Sequence, residues 1–160
     1  MPKNIAEASF SNLSMTAERQ DVIQELINFI EKYTPDKNEY HKGLYLSGPF
    51  GVGKTYMMGA LANQISQKGV EITLVNVPTF SFEMKQAIST NKVEEKLLKI
   101  KETPILVLDD IGAEMKSAWF RDEVLMVILQ YRMLQELPTF FTSNFDFNEL
   151  EEHFSVSGQN

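Results

Sequence analysis

Gly48-Pro49-Phe50-Gly51-Val52-Gly53-Lys54-Thr55 is the stretch that decides the fold. It satisfies G-x-x-x-x-G-K-[ST] in full, the P-loop pattern. Gly48, Gly51 and Gly53 let the backbone curl, so that its N–H groups converge on phosphate oxygens. The apolar triplet Leu44-Tyr45-Leu46 before it reads as a short buried strand. After it, Lys54 to Lys68 reads as a helix, with Met57, Met58, Leu61, Ala62 and Ile65 on one face and Gly69 at the C′ position. The positive end of that helix adds to an anion site. Gly48 to Thr55 are therefore expected to bind ATP. Lys54 would reach the β- and γ-phosphates, and Thr55 would place its hydroxyl on Mg²⁺. A glycine-rich turn that binds nothing would not explain a strand before it and a helix after it.

The rest of the chain continues the alternation. Residues 1–15 are polar and read as an extended lead-in. Thr16 is an expected N-cap for a helix carrying Val22, Ile23, Leu26, Ile27 and Ile30, which Pro35 stops. Residues 1–42 are this lead-in and helix, and 43–160 the ATPase core. Ile72 to Val77 is a second strand ended by Pro78. Phe80 to Ile88 and Val93 to Ile100 read as amphipathic helices. Ile105 to Leu108 is a continuous apolar strand, the kind buried on both faces of a parallel sheet. Ser117 to Glu136 reads as one long helix, Thr139 to Thr142 as a fourth strand, and Phe147 to Phe154 as another helix. This β-α-β-α order predicts an α/β fold, a mainly parallel sheet with helices on both faces.

Asp109 and Asp110 follow the apolar strand directly. Adjacent carboxylates there repel each other without a cation or donors nearby, and that edge of a parallel sheet is where ligands sit. Asp109 is the expected Mg²⁺-linked carboxylate, and Asp110 is placed to polarise the attacking water. A pair of solvated aspartates capping the next helix is the plain alternative, and the P-loop weighs against it. Asn144, after the fourth strand, could orient water or touch the γ-phosphate. On spacing alone it reads as an ordinary loop asparagine.

Composition removes several classes of function. The net charge is −7, so nucleic acid is not held by bulk charge. With no cysteine in 160 residues, disulfides and Cys-based zinc sites are out. No apolar run approaches the ~20 residues of a membrane span, and no secretory signal opens the chain. A cytoplasmic protein of one domain is expected. His41 and His153 lack paired ligand spacing and read as surface residues. The lysines of the two middle helices are interleaved with glutamates, a solvated mixed face.

Residues 43–55, Val-Pro-Thr-Phe (77–80), Leu-Asp-Asp-Ile-Gly-Ala-Glu (108–114), Ile-Leu-Gln-Tyr-Arg (128–132) and Leu-Pro-Thr-Phe-Phe-Thr-Ser-Asn (137–144) resemble the DnaI/DnaC-type helicase loaders. The P-loop is shared with many NTPases; Leu-Asp-Asp-Ile-Gly-Ala-Glu together with Pro-Thr-Phe-Phe-Thr-Ser-Asn is far narrower. The resemblance implies an AAA+ fold, with Asn144 in the sensor position on a strand lying between those of the P-loop and of Asp109. It also implies an ATP-dependent self-associating assembly that delivers the replicative DNA helicase onto single-stranded DNA. Ser117 and Trp119 match positions of a DNA-contacting element in the DnaC branch, so they are expected DNA contacts; core packing is the rival reading for Trp119. The family's zinc-binding N-terminal domain has no counterpart here. An arginine finger and sensor-2 lid are not identifiable before Asn160, and Arg121 and Arg132 lie before the sensor strand, so the core reads as incomplete at its C-terminus. Asp110 stands where most AAA+ proteins carry Glu, and the loader branch shares the Asp.

Three other functions compete. An ATPase helper of a transposase is a close relative of the loaders. A small-molecule P-loop kinase should show an acceptor pocket and a basic lid, and neither is visible. A catalytically dead scaffold conflicts with the presence of Lys54, Thr55, Asp109 and Asp110 together.

Overall fold

A computed structural model of the chain describes residues 17–34, 41–47, 53–112 and 116–143. In chain order the elements are α1 (Ala17–Lys32), β1 (Tyr45–Ser47), α2 (Lys54–Gln67), β2 (Ile72–Asn76), α3 (Val77–Thr90), α4 (Val93–Glu102), β3 (Ile105–Ile111), a π-helical segment (Phe120–Leu125), α5 (Met126–Leu134) and β4 (Thr139–Ser143). The lead-in, Thr16, the connection 36–40, Gly48 to Val52, Asn144 and the helix expected at 147–154 lie outside the described residues.

All strand pairs are parallel, in the order β1-β4-β3-β2. Strand β4 therefore lies between β1 and β3, the placement the resemblance implied for the strand before Asn144. Gly43 permits the close entry of β1 beside β4, because a Cβ there would meet the Thr139 carbonyl oxygen at 1.9 Å.

Strand β3 divides the core, since alternate side chains point to opposite faces. Ile105 and Val107 pack with Leu26 and Phe29 of α1, Met58, Leu61 and Ile65 of α2, and Phe140 of β4. Leu106 and Leu108 pack with Phe80 and Met84 of α3, Leu97 of α4, and Phe120, Leu125 and Ile128. All four β3 residues are fully buried. Each such side chain contributes about 1.5–3 kcal/mol, and helices cover the sheet on both sides.

Three local readings shift. Pro78 starts a helix rather than only ending a strand: it lies in the first turn of α3, and the Asn76 side chain caps that helix by accepting from Thr79 N–H at 3.1 Å. Proline is tolerated there because a helix's first N–H groups have no partner in the helix. Second, the expected long helix from Ser117 is widened between Phe120 and Leu125, where Met126 N–H reaches back to the Arg121 carbonyl. The inserted residue shifts the buried face, and the adjacent Val124 and Leu125 are both fully buried. Third, Asp109 and Asp110 lie within β3, not beyond it. Gly69 is a C′ residue at φ 80, with Val70 N–H on the Ile65 carbonyl and Gly69 N–H on the Ser66 carbonyl.

Candidate functional site

The first turn of α2 and the ends of β3 and β4 meet at one edge of the sheet. Gly53 leads into α2 at φ 82, a left-handed conformation that suits glycine. Lys54 is 8% exposed and Asp109 4%. The Thr55 hydroxyl donates to the Asp109 carboxylate, at 3.1 Å from Oδ1 and 2.9 Å from Oδ2. Burial pushes the Lys54 ammonium below its usual range, opposed by the charges of Asp110 and Asp109. Burial pushes the Asp110 carboxyl up, and the Asp109 charge adds to that while Lys54 opposes it. Two carboxylates and one ammonium thus share a poorly solvated corner, where each charge is felt strongly.

The backbone of this corner is irregular. Leu108 pairs with Phe141 and Ile111 with Ser143, so Asp109 and Asp110 together oppose Thr142 alone. That count defines a β-bulge. Asp110 sits in it at φ 66, a conformation uncommon for a residue with a side chain. The Thr142 hydroxyl accepts from Asp110 N–H at 2.7 Å and donates to Asp109 Oδ1 at 2.5 Å. Ser143 Oγ donates to the Ile111 carbonyl at 2.6 Å.

A hydroxyl and a carboxylate side by side are hard oxygen donors of the kind Mg²⁺ takes. The residues therefore fit the metal that the P-loop pattern implies. The N-terminal N–H groups of α2 and the buried Lys54 suit the phosphates of a nucleotide.

Of the residues singled out in the sequence, the structure brings together Lys54, Thr55, Asp109 and Asp110. Gly48, Pro49, Phe50, Gly51, Val52 and Asn144 lie outside the described residues. Ser117 and Trp119 stand elsewhere, at the start of the widened helix. The Ser117 hydroxyl accepts from Phe120 N–H at 3.3 Å, and the half-buried Trp119 packs against the core cluster on its side of the sheet. Thr142 is the contributor that sequence reasoning passed over. Its signal was a polar, β-branched residue in a strand otherwise due for burial.

A parallel sheet in this order, with a glycine-led helix after β1 and paired carboxylates at the end of β3, defines a P-loop module of the AAA+ type. The chain belongs to the family of IstB-like ATP binding proteins, which matches residues 3–157. It is 43% identical over 156 residues to the replicative helicase loader DnaI of Bacillus subtilis (strain 168), covering 97% of this chain and 50% of that protein. The chain thus spans about half the length of this relative. A crystal structure of DnaI superposes with a TM-score of 0.87 at 45% identity, covering 96% of this chain and 80% of that one. That of the DnaC helicase loader superposes at 0.82 with 25% identity, covering 99% and 92%.

Among the described residues no helix is long and apolar enough to cross a membrane.

Proposed function

We propose that this chain is the ATP-hydrolysing core of a loader that places the replicative helicase on single-stranded DNA. The observation that carries the ATPase reading is the Thr55–Asp109 contact beside buried Lys54. The similarity to DnaI supports the loader reading. Lys54 holds the β- and γ-phosphate charge, with the loop from Gly48 to Gly53 wrapping the phosphates. Thr55 and Asp109 hold Mg²⁺, which when bound neutralises the phosphate oxygens. Asp110 polarises the water, and Asn144 orients it. Self-association with ATP and a single-stranded DNA contact through Ser117 and Trp119 complete the reading.

The alternative is an ATPase helper of a transposase. Purified replicative helicase and purified transposase, each offered to the immobilised chain with ATP, separate the two. The loader reading expects ATP-dependent retention of the helicase, lost in Lys54→Ala. Retention of the transposase alone overturns it. Phosphate release by the wild type above that of Lys54→Ala tests hydrolysis itself.

A further inference from the structure

We propose that Thr142 is the positioning residue of this site: its hydroxyl locks the bulge in β3 and so sets where the Asp109 and Asp110 carboxylates stand. The proposal rests on the ATP-hydrolysis reading above.

The proton inventory of this hydroxyl fixes its direction. A backbone N–H can only donate, so the Thr142 oxygen accepts from Asp110 N–H. A hydroxyl has one proton, and it goes to Asp109 Oδ1, 2.5 Å away. One side chain therefore holds the backbone of one aspartate and the carboxylate of its neighbour. The bulge makes this necessary. Where Leu108 and Ile111 bracket two residues against one, the regular ladder is interrupted. Thr142 supplies the partner that the Asp110 N–H would otherwise find in a ladder. Ser143 completes the clamp on the far side, donating to the Ile111 carbonyl.

The environment makes the contact matter. Thr142 is 1% exposed, so water has little access to replace its hydroxyl. Asp110 is held at φ 66, and such a conformation persists only where the surroundings over-determine it. Asp109 accepts from both Thr142 and Thr55, so strand β4 and helix α2 orient the same carboxylate from two sides. Partners that orient a metal-linked carboxylate typically matter about 10- to 100-fold in metal affinity or activity.

Thr142→Val keeps the side-chain shape and removes the hydroxyl; Thr142→Ser keeps the hydroxyl and removes the methyl. Three readouts are needed: binding of a fluorescent ATP analogue titrated with Mg²⁺, single-turnover phosphate release, and the melting temperature. For Thr142→Val, nucleotide affinity without Mg²⁺ is expected within about threefold of wild type. The Mg²⁺ concentration for half-maximal tightening should rise, and phosphate release should fall, each roughly tenfold or more. Thr142→Ser should restore both. Should Thr142→Val fail to fold, Thr142→Ala is measured in its place with the same expectation. Wild-type Mg²⁺ dependence and turnover in the hydroxyl-free variant overturn the proposal, as does a Thr142→Ser impaired as deeply as Thr142→Val. A wild type that releases no more phosphate than Lys54→Ala defeats the ATPase reading instead; the Mg²⁺ titration still decides on Thr142.

Discussion

The Thr55 hydroxyl stands 2.9 Å from Asp109 Oδ2 although 54 positions separate the two residues. The contact ties the start of α2 to the end of β3. In Thr55→Val the pair loses its hydroxyl but keeps its packing volume. Nucleotide binding without Mg²⁺ is expected to stay near wild type, and its tightening by Mg²⁺ to be lost. Equilibrium titration of a fluorescent ATP analogue, with and without Mg²⁺, measures both. Full tightening in the variant would take Thr55 out of the metal site.

Lys54→Ala should behave differently. The charges of Asp110 and Asp109 both favour the Lys54 ammonium against its burial, and Lys54 is the point charge expected at the β/γ-phosphates. Its loss should abolish tight binding both with and without Mg²⁺. The same titration shows this, and unchanged affinity rejects the phosphate assignment.

Turnover by this chain alone should be slow. Asp110 is one methylene shorter than Glu, and a misplacement of about 1 Å can cost roughly 100-fold. An arginine finger acting from a neighbouring subunit is worth about 10³–10⁵ in related NTPases. Asp110→Asn should lower even this slow rate and leave nucleotide affinity nearly unchanged. A wild-type rate of roughly 10 s⁻¹, the enzyme median, would contradict the expectation.

The sequence carried the fold because its strongest signals are local. The P-loop pattern, the apolar run of β3 and the helical spacing of Met57, Met58, Leu61 and Ile65 each name their element within a few residues. The patterns that single out Lys54, Thr55, Asp109 and Asp110 are local too, and the structure brings the four together. Thr142 was not, because its role depends on pairing across strands and on a register shift that no periodicity records. The widened turn at Phe120–Leu125 was hidden likewise, since its apolar residues fit an ordinary helix about as well.

Arg132 is a second example, and it yields a stability prediction. It is 1% exposed, and its guanidinium donates to the carbonyls of Lys101, Thr103, Pro104 and Pro138 and to the Thr139 hydroxyl. Burial pushes it down to about 10, with Tyr33 and Tyr131 opposing. The side chain joins the end of α5 to the starts of β3 and β4. Arg132→Met fills similar space but leaves those acceptors without a donor. A hydrogen bond to a charged group is worth about 1.5–3 kcal/mol, so a loss of about 3 kcal/mol or more is expected in urea unfolding. A variant within about 0.5 kcal/mol of wild type would show that water or neighbours satisfy the carbonyls.

Trp119 offers a test of the proposed DNA contact that separates stacking from packing. Its indole lies against the cluster of Phe80, Leu108 and Phe120 but is only half-buried, so one part packs while another faces solvent. An acidic chain cannot draw on bulk charge for DNA. An aromatic platform needs none, and contributes about 1–3 kcal/mol per base. The Ser117 hydroxyl accepts from Phe120 N–H at the entry to this turn. Trp119→Leu preserves apolar packing and removes the flat surface. Its melting temperature should stay within a few degrees of wild type, while affinity for single-stranded DNA falls about tenfold, the equivalent of 1.4 kcal/mol. Trp119→Phe should keep most of both. If Trp119→Leu is folded and binds single-stranded DNA as tightly as wild type, the ring is a packing element and the proposed DNA contact through Trp119 is rejected.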